Sequence, residues 1–194
     1  MEHGLLKKLI CLPLLIVCCL CVAAQQDSLH IIHTTRDKTT FAVIVNAGLV
    51  AGASDRDLQV QTIAGLQHKS WFYGIGTAID YYYLRGVPVF ASVRKLFQKS
   101  MPLFLYADAG WSFPWIKKEE SSFTGYTNEY KKGIYYDAGF GWHFKISKRN
   151  AFLLSAGYSR KTIIENAIPN WYPHNVTKVT YDLRRISLKA GFQF

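Results

Sequence analysis

From about residue 40 onward, apolar side chains recur at every second position through long segments, and this period of two, not 3.6, is what most constrains the fold. In the closing stretch ISLKAGFQF, Ile186, Leu188, Ala190, Phe192 and Phe194 share one face, while Arg185, Ser187, Lys189, Gly191 and Gln193 share the other. Residues 132–146 repeat the pattern, with Tyr136, Ala138, Phe140, Trp142 and Phe144 opposite Asp137, Gly139, Gly141, His143 and Lys145. No stretch reads as an amphipathic helix.

Eight segments read as strands, at about residues 40–51, 57–68, 71–83, 87–98, 102–113, 132–146, 151–164 and 178–194. Each is long against the ~5 or 6 residues of an ordinary globular strand, and suits the ~9 to 11 residues that cross a bilayer at a tilt. The connections fall into two sets, the far side holding 52–56, 84–86 and both long ones. Those at 68–70, 98–101 and 147–150 are short, whereas 114–131 and 165–177 are long and fall together at the opposite end. Short turns on one side, long loops on the other and an even strand count predict an all-β fold, an eight-stranded antiparallel up-and-down transmembrane β-barrel spanning residues 40–194.

The aromatic residues separate this reading from a soluble sheet. Trp71, Phe97, Trp142, Phe144, Phe152, Phe192 and Phe194 fall at the short-turn ends, and Tyr81, Tyr83, Trp111, Phe113 and Tyr136 at the long-loop ends, as two belts at the two bilayer interfaces would. A soluble lipocalin-like binding barrel would instead keep its apolar residues inside, around a cavity. The opposite face carries ionisable groups of both signs: Asp80, Asp108 and Asp137 against Arg94, Lys145, Arg185 and Lys189. Within an eight-stranded barrel side chains nearly fill the interior, so these are expected to pair as a lumen network that plugs the pore. Lys95 and Arg160 lie on the outward parity and call for snorkelling to an interface or a local bulge, and Pro88 calls for a strand end.

Ahead of the strands, residues 1–24 combine Lys7 and Lys8 with an uncharged, mostly apolar run to Ala24, which predicts a signal peptide cleaved after Ala24. The run is short for a membrane-spanning helix and is broken by Pro13. Residues 25–39 read as a polar periplasmic linker. All four cysteines lie in the leader, so no disulfide is expected in the exported chain. Loss of Lys7, Lys8 and Glu2 with the leader lowers the formal net charge of +10 by one. In an exported protein that excess points to an anionic membrane or lipopolysaccharide surface rather than to nucleic acid.

Catalytic patterns are missing. Gly74 and Gly76 in YGIGTA lack the following Lys-Ser or Lys-Thr of a phosphate loop. His30 and His33 fall short of the three or four ligands usual for zinc, so no metal or other cofactor is expected. A lipid A-modifying hydrolase is the enzymatic alternative, on Ser159 and Glu165 in GYSRKTIIENA, but no histidine accompanies them to activate the serine. His174 and the aromatic, Lys- and Asn-rich stretches 114–131 and 165–177 offer a surface for an extracellular ligand.

Taken together, GVPVFASVRKLF, PLFLYADAGWSF, YYDAGFGWHF and LKAGFQF give residues 40–194 a resemblance to the small outer-membrane β-barrel domain proteins of Gram-negative bacteria. The resemblance implies a location in the bacterial outer membrane and says little about activity, because the fold hosts adhesins, structural barrels and a few lipid-modifying enzymes. With no catalytic pattern in the sequence, the chain is expected to be a monomeric, non-enzymatic structural or surface-interaction protein in contact with lipid and lipopolysaccharide. The resemblance also implies that the terminal aromatic strand, with Phe192 and Phe194, is read as an assembly signal by the outer-membrane assembly machinery.

Overall fold

The computed structural model describes residues 39–53, 55–97, 102–115, 122–123, 126–147, 149–169 and 177–194. Its strands are β1 (Thr39–Gly52), β2 (Arg56–His68), β3 (Trp71–Asp80), β4 (Gly86–Leu96), β5 (Leu103–Pro114), β6 (Ser122–Phe123), β7 (Tyr126–Lys131), β8 (Gly133–Lys145), β9 (Ala151–Pro169) and β10 (Thr177–Gln193). Every pairing is antiparallel, each principal strand pairs with the next, and β10 pairs back onto β1. Since β7 and β8 form one stave and β6 only a hairpin on β7, the wall is a closed barrel of eight staves.

Closure runs to the last residue. The Phe194 N–H donates to Val43 O at 2.9 Å and the Val43 N–H to Phe194 O at 3.1 Å, so the terminal backbone groups are satisfied inside the ladder. The connections 69–70, 97–102 and 146–150 lie at one end of the barrel, the turn end, and the short connections 53–55 and 81–85 share the other, the loop end, with the two long ones. At the turn end a two-residue connection between His68 and Trp71 bends through Lys69, whose φ of 54° is left-handed.

The side-chain distribution is inverted relative to a soluble protein. Among the described residues thirty large hydrophobic residues are exposed, among them Ile75 and Ile186 of the wall at 72% and 62%. Their inward neighbours Asp80, Asp137, Lys161 and Ser187 are fully buried. In β10 the alternation is unbroken from Arg185 to Gly191. The outward aromatics form two belts. At the turn end, rings run in sequence from Phe144 to Phe152, Phe192 and Phe194, with centroids 6.3, 5.4 and 6.5 Å apart. Tyr81, Tyr83, Trp111 and Phe113 are exposed at the loop end.

Three elements differ from the sequence-based expectation. The third strand ends at Asp80 rather than at 83, because Asp80 Oδ1 accepts the Tyr82 N–H at 2.9 Å and lifts the chain off the ladder. Tyr82 then turns inward and is buried, and Tyr83 takes a φ of 61°. The connections predicted at 114–131 and 165–177 are partly strand. β7 pairs with β9 from Lys131↔Ile164 to Tyr126↔Pro169, and β10 pairs with β9 as far as Thr177↔Ala167, so three strands project beyond the rest of the wall.

A bulge separates the projection from the barrel proper. Lys131 pairs with Ile164 but Tyr135 with Lys161, so β7 and β8 carry one extra residue against β9. The freed Ile134 N–H donates to Thr162 Oγ1 at 2.7 Å, and a Cβ at Gly133 would overlap the Thr162 carbonyl. Pro88 sits near the loop end of β4, opposite Ser112, and its carbonyl accepts from Thr77 Oγ1 at 3.0 Å.

Candidate functional site: the charged lumen

The inward face holds its charges in separate clusters. Near the loop end, Arg185 Nη1 donates to Asp80 Oδ2 at 2.6 Å and Lys161 Nζ approaches the same oxygen at 3.3 Å, all three side chains fully buried. Arg185 also donates to Ser159 Oγ at 2.8 Å, and Lys161 to the carbonyls of Tyr82 and Leu84, both at 3.0 Å. The Tyr82 ring lies 5.3 Å from the Arg185 guanidinium, so the 81–85 connection packs onto this cluster.

The second cluster is centred on Asp137. Lys189 Nζ donates to its Oδ2 at 2.9 Å, and Tyr106 and Ser187 donate to its Oδ1 at 2.8 and 3.1 Å. Tyr106 reaches across from β5 because the wall between is glycine: Gly139 is its register partner and Gly157 the next, and a Cβ at Gly157 would overlap the Tyr106 hydroxyl. Charged hydrogen bonds of this kind hold their geometry tightly in a low-dielectric interior.

Asp108 has no cation at ion-pair distance among the described residues. It accepts from Gln61 Nε2 at 3.0 Å, and Gln61 Oε1 accepts from Asn46 Nδ2 at 3.0 Å, a polar chain joining β5, β2 and β1. Arg94 lies over the rings of Phe104 and Tyr106, 5.7 Å from each centroid. Ser92 Oγ, Arg94 Nε and Asp108 Oδ1 are buried without a protein hydrogen-bond partner.

Of the residues placed inside from sequence, the structure thus brings together Asp80 with Arg185 and Asp137 with Lys189, and buries Asp108 and Arg94 apart from them. Lys145 is a correction. It shares the inward parity but is the final residue of β8, and its long side chain reaches solvent at the turn end instead of entering the network. Phe192 and Phe194 stand outward in the aromatic belt. His30, His33, His174 and the expected leader lie outside the described residues, as do 116–121, 124–125 and 170–176 of the two long connections.

Sequence reasoning missed several participants. Lys161 is inward by simple parity with outward Arg160. Phe72, Phe90, Phe104, Ile44, Ile63 and Leu153 form an apolar layer within the lumen. Phe72 and Phe104 sit in the unbroken apolar runs WFY and LFLY, where only their parity against Trp71 and Leu105 marks them as inward.

Lys95 and Arg160 sit where the apolar surface ends. Lys95 Nζ lies 5.0 Å from the Trp71 centroid in the turn-end belt. At the loop end, Arg160 donates to both oxygens of Asp182, at 2.5 and 3.0 Å, and Arg184 reaches Asp182 Oδ2 at 3.4 Å. Below that row come Tyr158 and Ile186, and above it Thr162 and Thr180. Ser159 faces the lumen, bound to Arg185. In the projecting strands, Glu165 is the register partner of Tyr130, and burial followed by this carboxylate raises the Tyr130 hydroxyl above its ordinary pKa. The Tyr83 and Tyr181 rings meet nearby at 5.2 Å, tilted by 44°.

No family model matches the sequence, and no curated protein matches it. Among solved structures, the chain superimposes on the outer membrane protein AlkL, determined by solid-state NMR in DMPC lipid bilayers, with a TM-score of 0.53 at 7% identity over 87% of this chain and 96% of that one. The chain has the fold of an eight-stranded transmembrane β-barrel. Neisserial surface protein A gives a TM-score of 0.46 at 14% identity over 80% of this chain and 97% of that one. The designed barrel TMB2.3 gives 0.41 at 15% identity over 83% and 97%. In this barrel the charged lumen is the interior of the wall, and the exposed apolar belt is the surface that such a fold turns to hydrocarbon.

Proposed function

We propose that this barrel resides in a bacterial outer membrane as a monomer, with a structural or surface-interaction role, no catalytic activity and a lumen plugged by its own side chains. On this reading the chain is exported by residues 1–24, linked through residues 25–39, and meets outer-membrane lipid and lipopolysaccharide along its wall. The observation that carries the proposal is the inversion itself: Ile75, Leu188 and Phe192 outside, Asp80, Arg185 and Asp137 buried within. Plugging is supported by the inward packing of Tyr82, Arg185 and Lys161 near the loop end, beyond the apolar layer of Phe72, Phe90 and Phe104. The projecting strands and the 114–131 and 165–177 connections are the natural surface for an extracellular ligand, since rigid scaffolds commonly present function on such loops.

Two measurements bear on this. The barrel folded in vesicles should migrate faster on gels before boiling than after, and in planar bilayers it should give no steady single-channel current. Mobility independent of heating defeats the membrane barrel; a sustained open conductance defeats the plug alone.

The assembly role of the terminal strand has its own test. Deleting Phe194 removes two ladder hydrogen bonds and one belt ring at the barrel seam, while the rest of the β1–β10 pairing remains. Insertion in cells is expected to fall severalfold, with far less change in the refolded barrel's unfolding midpoint. Equal loss in both assays assigns Phe194 to stability only.

A further inference from the structure

A depression of about 690 Å³ lies on the wall across β3, β4, β5 and β8. Its floor is small. Ala91 pairs directly with Ala109, and Gly110 follows. The row continues to Ile75 on one side and Tyr136 on the other, and the next row towards the loop end is Val89, Trp111 and Ile134. A pair of alanines between large side chains leaves a furrow over an intact hydrogen-bonded wall, to which Gly110 contributes bare backbone.

The furrow ends at cations. The bulge between β7 and β8 turns Lys132 outward, its Nζ 5.9 Å from the Trp111 centroid. No carboxylate lies at ion-pair distance from Lys132 among the described residues. One strand further on, Arg160 is the register partner of Tyr136, with Asp182 already bound. The sequence of chemistry along the wall is therefore apolar floor, aromatic rim and then unneutralised positive charge.

We infer that this furrow seats one acyl chain of an anionic lipid whose phosphate is held by Lys132. The inference rests on the membrane reading above, because only then does the wall meet lipid. Its volume lies within the roughly 300–1,000 Å³ range of specific small-ligand sites. A lysine recognises phosphate as a point charge. A zwitterionic lipid offers the same chain and phosphate but carries a compensating cation, so the preference between the two depends on Lys132.

The test uses the full exported chain refolded into vesicles of equimolar phosphatidylglycerol and phosphatidylcholine, extracted in mild detergent and weighed by native mass spectrometry. One phosphatidylglycerol should be retained about fivefold over phosphatidylcholine, the factor for roughly 1 kcal/mol per lysine at a lipid surface. Lys132→Gln should bring the two lipids to near parity. Ala109→Leu, which adds bulk on the outward face and leaves the lumen untouched, should lower total retained lipid. Equal retention of both lipids by the unaltered barrel, an unchanged preference in Lys132→Gln, or a lipid-free dimer would overturn the furrow. A normal heat-dependent gel shift in the same preparation confines that failure to the furrow. A chain that never enters the vesicles overturns the membrane reading and the furrow with it.

Discussion

Replacing Asp80 with Asn is expected to lower the barrel's unfolding free energy in vesicles by about 3–5 kcal/mol, the cost of leaving a buried charge without its partner. Asp80 is the carboxylate between Arg185 and Lys161, and none of the three side chains is accessible. Neutralising it leaves two cations facing each other in the lumen with only hydroxyl and carbonyl acceptors. Asn retains an oxygen for the Tyr82 N–H, so the variant tests the charge and not the turn that ends β3.

The control is Asp182→Asn. Asp182 also meets two arginines, but at the partly exposed outer rim, where such a pair contributes about 1 kcal/mol or less. Urea titrations of both variants should therefore separate clearly. Adding Arg185→Met to Asp80→Asn should recover part of the loss, since one of the two stranded cations is then gone. Equal costs for Asp80 and Asp182 would mean that water reaches the lumen cluster freely, contrary to a plugged interior.

Much of this arrangement follows from parity alone. Once Ile186 to Phe194 are set outward, Arg185 and Lys189 are inward, and the same count on the sixth predicted segment turns Asp137 inward. Which residues meet is decided by register and tilt, which carry no local sequence signal. Asp137 meets Lys189 two staves away, and Gly157 on the stave between leaves room for the Tyr106 hydroxyl to join Ser187 on the same carboxylate. Lys145 obeys the parity yet escapes the network because β8 ends there. In WFY and LFLY both faces are apolar, so the residue types show no alternation there, and Phe72 and Phe104 are marked as inward only by parity carried in from the rest of their strands. The strands projecting beyond the belt were hidden for a different reason. The segment YTNEYK, Tyr126 to Lys131, carries no apolar alternation for a period of two to reveal. The one-residue bulge before Ile134 also breaks their phase with β8.

The complementary experiment places a charge on the other face. Leu188 is exposed on the wall, between Ile186 and Ala190, with Leu49 and Ala156 as its register partners on β1 and β9. Leu188→Arg should destabilise the barrel by about 2–4 kcal/mol in vesicles, as an arginine near the bilayer midplane does, while the same change at Tyr81 in the loop-end belt should cost ~0–1 kcal/mol. The contrast is specific to a membrane. In water both sites are solvent-exposed surface positions, and arginine at Leu188 would be neutral or would improve solubility. A depth-dependent penalty can arise only if a hydrocarbon layer surrounds the wall, with its boundary near the row where Arg160 meets Asp182. Equal and small effects at the two positions would leave the barrel's shape intact but deny it the bilayer, and the inverted surface of Ile75, Ile186 and Leu188 would then require a protein partner to cover it.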